Sequence, residues 1–289
     1  MLKPFRLVRP TTLTEATSEL ARLGEQAKVY AGGVELVLLM RHGLVEADHL
    51  VDIKHIPGLS NVRSDDGLVR IGATVTHHAL ERHPLIRQRL PLLAEAESHV
   101  GNIRVRSQGT LGGNLCFADP HADPGTVLLV HEASVRVARG TESWELPLAS
   151  FLRGTYEVAL EPDELLVEVL VPQLPAGWRW SFQRSERFYR PTLNVAAAVL
   201  MDGSRLAAVK LAAGCIGPRA IRLSDLETRL QGVPLEDASR IVQSWTELVD
   251  VLEPVGDLLG SAEYKVHLTR VLLSRALAEA AGASGEKHE

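Results

Sequence analysis

Hydrophobic and polar positions along this chain follow two periods, and the switches between them mark out its elements. Residues 14–23 carry Ala16, Leu20 and Leu23 at helical spacing, with Thr12 or Thr14 to cap the helix and Gly24 to end it. Residues 28–31 read as a short buried strand, 36–40 as a helical turn and 49–53 as a second strand, before Pro57-Gly58 breaks the pattern. Residues 68–72 predict another strand, and Thr76 caps a short helix reaching Glu81. Residues 90–100 are helical, with Pro91 suited to the first turn. A helix over 122–131 and strands over 134–138 and 165–171 complete this part, the last strand closed by Pro172. Prolines and glycine then cluster over 172–177, the best linker candidate. Beyond it, residues 178–184, 193–201 and 206–213 predict three strands, the last two joined by a turn at Asp202-Gly203. Residues 223–230, 236–252 and 262–281 are helical. The pattern predicts an α+β chain. Residues 1–175 form two α/β units, about 1–57 and 58–175, and 176–289 form a domain with a three-stranded antiparallel sheet and helices.

Two glycine-rich segments interrupt these elements: Ala31-Gly32-Gly33-Val34-Glu35-Leu36 and Gly109-Thr110-Leu111-Gly112-Gly113-Asn114. Each follows an apolar stretch and sets a polar side chain just beyond paired glycines. Glycine lets a ligand approach the backbone closely, and successive amides in such turns form nests for phosphate oxygens. Two nests suggest one ligand with a diphosphate and polar ends, such as a dinucleotide. Neither G-x-G-x-x-G nor G-K-[ST] is present, so a Rossmann fingerprint and a P-loop do not compete.

Composition narrows the function classes. The formal charge of −5 argues against nucleic acid as the main partner. No apolar run reaches the roughly 18 residues of a membrane span, and the N-terminus lacks a secretory apolar region, so a cytoplasmic protein is expected. Cys116 and Cys215 are the two cysteines. They cannot make a four-cysteine cluster or zinc site, so any iron–sulfur chemistry must come from another subunit. Both are read as buried spectator thiols. Asp119-Pro120-His121-Ala122-Asp123 with His77, His78 or His83 was weighed as a metal site. The histidines sit beside Glu81 and Arg82, and His77-His78 reads better as a solvated helix start. Arg104 and Arg106 either balance phosphate charge or lie at the surface. Trp178 and Trp180 pack the C-terminal sheet.

The chain resembles the FAD-binding medium subunit of molybdenum hydroxylases, the group with carbon monoxide dehydrogenase and xanthine dehydrogenase-type enzymes. The resemblance rests on Tyr30-Ala31-Gly32-Gly33, Ile71-Gly72-Ala73…Thr76, Gly109 to Asn114, and Ala118-Asp119-Pro120…Asp123. It continues through Gly214-Cys215-Ile216-Gly217-Pro218-Arg219-Ala220 to Tyr264…Arg270…Arg275-Ala276-Leu277, nearly end to end. It implies a vanillyl-alcohol-oxidase-like (PCMH-type) FAD-binding fold of two α/β subdomains plus a C-terminal domain. Carried over, Ala31, Gly32, Gly33, Val34, Glu35 and Leu36 would cradle the FAD pyrophosphate through backbone amides. Thr110, Leu111, Gly112, Gly113 and Asn114 would supply the second half, Thr110 and Asn114 through side chains. Asp123 would bind ribose hydroxyls, and Leu165 or Leu166 would touch the flavin or adenine. Where relatives commonly carry an acidic residue and then an aromatic one, this chain has Pro191-Thr192, and Phe188 or Tyr189 is the nearby aromatic.

The resemblance further implies an electron-transfer subunit. A large molybdopterin subunit would oxidise the substrate, and a small [2Fe-2S] subunit would relay electrons to FAD and on to an acceptor such as NAD or a quinone. No catalytic triad is needed, and the large cysteine-bearing insertion of some aryl-CoA reductases is missing. The alternatives are a stand-alone FAD oxidoreductase of the same fold and an assembly subunit that has lost FAD.

Overall fold

Three sheets and a two-stranded hairpin organise the computed structural model, which describes residues 2–187 and 190–282. The first sheet is parallel and small: β1 (Arg6–Val8), β2 (Ala27–Tyr30) and β3 (His49–Asp52), in the order β1-β3-β2. The helix Leu13–Leu23 packs Ala16 and Leu20 into the core that holds Val51 of β3. The Thr12 hydroxyl caps it by accepting the Glu15 amide, and Gly24 ends it at φ +56°, as the glycine signal predicts.

The second sheet is antiparallel, with β4 (Val62–Asp65), β5 (Leu68–Gly72), β6 (Ser134–Arg139) and β7 (Glu142–Pro147). A small hairpin, β8 (Leu152–Gly154) with β9 (Glu157–Val158), precedes the central strand β10 (Leu165–Pro172), giving the order β4-β5-β10-β6-β7. The apolar run of β10 is buried from Leu165 to Val171. Its one charge, Glu168, is tolerated because Arg63, Arg70 and Arg136 from three other strands surround it, at 2.8, 3.4 and 2.7 Å. The opposite face of this sheet meets the helices of residues 77–130 in the largest core.

The third sheet has four strands where three were expected: β11 (Arg179–Arg187), β12 (Arg190–Asp202), β13 (Arg205–Gly214) and the two-residue β14 (Ile221–Arg222). Leu193, Val195, Ala197 and Val199 of β12 turn to the helices Ser224–Leu230, Leu235–Ser244 and Ala262–Ala280. The alternate residues Ala196 and Ala198, with Ala212, turn to the largest core, where Trp178, Trp180 and Phe182 also pack. The two tryptophans therefore cement this sheet to the rest of the molecule. The helix expected over 236–252 is two helices, Leu235–Ser244 and Leu248–Leu252. Trp245 leaves helical geometry at φ −76°, ψ 102° and buries its side chain between them. Among the described residues no helix is long and apolar enough to cross a membrane.

Candidate functional site

A cavity of about 770 Å³ opens where the first sheet, the helices of the second and the start of the third meet. Its lining includes Ala31, Gly32, Gly33, Val34, Glu35, Leu36, Thr110, Gly112, Gly113, Asn114, Asp123, Leu165 and Leu166. Leu111 alone of the expected site residues is elsewhere: it is fully buried in the large core.

The two glycine segments differ in construction. β2 ends at Tyr30, and Gly33, at φ +72°, starts the helix Val34–Arg41 from the left-handed region. A side chain at Gly33 would strike the Tyr30 ring, and one at Gly32 would strike the Gln108 carbonyl, so Gly32 is where the two segments touch. Among the described residues, the amides of Gly32 to Leu36 meet no acceptor, as befits the open first turn of a helix. They border the cavity, with the unengaged N–H groups that an anion nest requires.

The second segment forms no such nest. Thr110 caps a helix, Leu111–Phe117, its hydroxyl accepting the Gly113 amide at 3.1 Å. The Leu111, Gly112 and Asn114 amides donate to the carbonyls of Val75, Ala73 and Thr110 at 3.0, 3.0 and 2.9 Å. All four amides are engaged, so the expected cradle of backbone donors is replaced by a wall laid against residues 73–77. Gly112 is fixed by that packing, since a Cβ would lie 2.6 Å from the Ala73 Cβ. Gly113 is different: the Thr110 hydroxyl, at 2.8 Å, is all that its Cβ would meet within 4 Å. Polarity on this wall comes from side chains, including the buried Asn114 Oδ1, which has no partner among the described residues.

Charged groups close the side toward the third sheet. Asp123, 3% exposed, accepts from Arg184 Nε at 3.2 Å on each oxygen and from Asn194 at 2.7 Å. Burial pushes its carboxyl up, against the pull of Arg184 and Asn194. Arg190 donates to both Asp119 oxygens at 3.1 Å. His121 bridges the Pro191 carbonyl at 2.9 Å and Asp257 at 3.1 Å, and Asp257 also holds the buried Lys265 at 2.7 Å. Burial, then the Asp119 charge, raises the Glu35 carboxyl, with Arg190 opposing. The Cys116 thiol borders the cavity and is pushed up to about 12 by burial, and Cys215 is raised by burial too.

One open choice is narrowed here and one sequence reading is overturned. Arg104 is exposed, whereas Arg106 pairs with Glu81 at 2.6 Å and donates to the Val100 and Gly101 carbonyls, bracing the wall. His77 is no solvated helix start: it is 2% exposed and contacts the fully buried Glu97 at 2.6 Å. Among the described residues no cluster of His, Cys, Asp or Glu is arranged to hold a metal ion. Phe188 and Tyr189 lie outside the described residues.

Residues 3–174 match the family described as the FAD binding domain in molybdopterin dehydrogenase, and 182–280 match the CO dehydrogenase flavoprotein C-terminal domain. The chain belongs to this flavoprotein family. It is 31% identical to the carbon monoxide dehydrogenase medium chain of Hydrogenophaga pseudoflava, over 96% of this chain and 97% of that one. It is 33% identical to the 6-hydroxypseudooxynicotine dehydrogenase complex subunit alpha of Paenarthrobacter nicotinovorans, over 96% of each. A solved structure of the Hydrogenophaga carbon monoxide dehydrogenase superposes with a TM-score of 0.91 at 29% identity, covering 99% of this chain and 100% of that one. This is thus an FAD-binding medium subunit of the molybdenum hydroxylase family, an oxidoreductase component.

The residues present fit the cofactor. The cavity lies within the roughly 300–1,000 Å³ of small-molecule sites. The open amides of Gly32 to Leu36 suit a diphosphate, and Val100, Val105, Leu165 and Leu166 offer apolar surface to ring systems. Arg184, Arg190 and His77 are lining residues that sequence reasoning did not place at the site.

Proposed function

We propose that this chain is the electron-transfer subunit of a cytoplasmic, multi-subunit molybdenum hydroxylase. It takes electrons from the [2Fe-2S] clusters of a small partner subunit, while a large molybdopterin subunit oxidises the substrate. It delivers them to an external acceptor such as NAD or a quinone. The observation that carries this reading is the row of open amides, Gly32 to Leu36, along a cavity of dinucleotide size.

When bound, FAD supplies the redox chemistry, and the protein binds and orients it. The amides of Gly32 to Leu36 hold the diphosphate. Thr110 and Asn114 add side-chain hydrogen bonds from the second wall, and Gly112 and Gly113 keep that wall low. Asp123, steadied by Arg184 and Asn194, has lone pairs left for ribose hydroxyls. Leu165 or Leu166 covers a ring face. The division near residue 175, the subdomains 1–57 and 58–175 and the vanillyl-alcohol-oxidase-like arrangement belong to the same proposal. The test is the visible spectrum of the purified chain after FAD is added to stripped protein. Bound-flavin bands support the reading, and a colourless protein that takes up no FAD defeats it. Co-purification with molybdenum and iron–sulfur subunits separates the complex from a stand-alone enzyme.

A further inference from the structure

We infer that His77, backed by Glu97, is a hydrogen-bond donor to a ring acceptor of the bound dinucleotide, a deduction resting on the cofactor reading above. His77 opens the helix His77–Arg82 and is 2% exposed. Its Nδ1 lies 2.6 Å from Glu97 Oε2 on the helix Pro91–His99. Glu97 is fully buried, and its other oxygen has no partner among the described residues. The Cδ2–Nε2 edge of the imidazole lies against Gly109, where an added Cβ would sit 3.0 Å from Cδ2 and 3.5 Å from Nε2. His77 and Gly109 both border the cavity, and Nε2 meets no hydrogen-bond partner among the described residues.

The protons of the pair decide what Nε2 offers. A carboxylate with no exposure needs a partner, and the His77 Nδ1 is the hydrogen-bonding group in contact with it. Two arrangements leave the pair electrically neutral. In one, an imidazolium donates from Nδ1 to a carboxylate. In the other, a protonated Glu97 donates to Nδ1 of a neutral ring. Nε2 carries hydrogen in both. The third arrangement, a neutral ring donating from Nδ1 to a carboxylate, makes Nε2 an acceptor and keeps a buried negative charge on one hydrogen bond. Nε2 is a donor in both neutral pairs, the states that bury no net charge.

What it meets follows from its neighbours. Val100, Gly101, Val105 and Gly109 make the adjoining wall apolar, and a flat heterocycle with a lone-pair nitrogen or carbonyl fits it. FAD carries such acceptors in both its ring systems.

The test replaces the pair together, His77→Phe with Glu97→Leu, in the full chain. A single His77→Ala would strand Glu97. Apolar replacement of both partners of a buried pair is often neutral for folding. The folded double variant is expected to bind FAD about tenfold more weakly, by fluorescence quenching, the scale of one lost hydrogen bond. Titrations with ADP and with FMN then show the same loss for one and not the other, which names the ring. Unchanged FAD affinity, or equal loss with both halves, refutes the assignment. If the double variant does not fold, nitrogen NMR of histidine-labelled wild-type protein decides instead. A protonated Nε2 that shifts on FAD addition supports it, and an unprotonated or unresponsive Nε2 overturns it. Wild-type protein that binds no FAD rejects the cofactor reading itself, and this inference with it.

Discussion

Gly112 and Gly113 are neighbours in one helix, yet the structure assigns them opposite reasons for being glycine. A methyl group at Gly112 would meet Ala73 at 2.6 Å from Cβ, 2.7 Å from the carbonyl oxygen and 2.8 Å from Cα. Backbone cannot swing aside, so Gly112→Ala overpacks a fully engaged contact and costs about 1–3 kcal/mol of folding stability. At Gly113 the same methyl meets only the Thr110 hydroxyl, 2.8 Å away on a short side chain. The backbone there is right-handed helix, where alanine is favoured over glycine by up to about 1 kcal/mol. The hydroxyl must give way and weaken the cap it makes on the Gly113 amide, a loss of about 1 kcal/mol that offsets the helix gain, so Gly113→Ala should leave the empty protein about as stable as wild type.

Binding should reverse that order. The Gly113 methyl projects into the cavity, where a cofactor seated against the wall must back away or distort. A similar overpacking of about 1–3 kcal/mol translates to roughly a 5- to 150-fold loss of FAD affinity. Melting temperatures of cofactor-stripped protein and FAD titrations by fluorescence separate the two effects. Gly112→Ala should melt early. Gly113→Ala should melt normally and bind poorly. If Gly113→Ala binds FAD like wild type, the second glycine segment does not touch the cofactor, and the two-walled site is wrong.

Three other outcomes follow from the same geometry. Glu35 is raised by burial and then by Asp119, so in the folded chain it holds its proton to higher pH than in the unfolded chain. Its contribution to stability is then present at low pH and is lost as pH rises through the raised value. An anionic diphosphate beside it should also bind more weakly over that window, and Glu35→Gln should flatten FAD affinity measured against pH. Cys116, pushed up to about 12, and Cys215, raised well above its ordinary value by burial, are neutral thiols near pH 8, so a chromogenic disulfide should react slowly with both until the protein is denatured. Fast labelling of native protein would contradict these raised values. Trp245→Ala should cost about 3–5 kcal/mol by emptying the space between its two helices, seen as an earlier denaturant midpoint.

Legibility in the sequence tracked how one-sided each element is. β10, an almost unbroken apolar run, and the helix Pro91–His99, with Leu92, Leu93 and Ala96 inward, could be read from pattern alone. β4 and β7 could not, because they are edge strands whose polar residues face solvent and leave no run. The helix Ile103–Gln108 was hidden likewise, with no buried residue and two arginines in its six. Trp245 falls inside the 236–252 stretch that the pattern predicts as one helix, since spacing does not reveal that an indole must leave the helix to be buried. His77 and Glu97 were the readable misses. His77 lies three residues before Leu80, and Glu97 four after Leu93, so each shares its helix's apolar face. Polar residues in such positions signal a buried pair.

The glycine segments show why motif and mechanism separate. Both read as nests because both are glycine-rich, but a nest needs unengaged amides, and that depends on partners distant in sequence. Residues 73–75 and Thr110 engage the amides of the second segment, while those of the first stay open. The same packing places Gly32 against Gln108, so the first loop is itself shaped by the second segment. Across the cavity, Arg184, Arg190 and Pro191 bring in the third sheet through Asp123, Asp119 and His121. A cofactor held there touches elements from both ends of the chain. Its binding energy must then favour the joined arrangement over any in which the parts separate. Relatives named for carbon monoxide and for 6-hydroxypseudooxynicotine match this chain at 31% and 33% identity over nearly their whole lengths. Such likeness between proteins named for such different substrates is what a shared cofactor would leave in common.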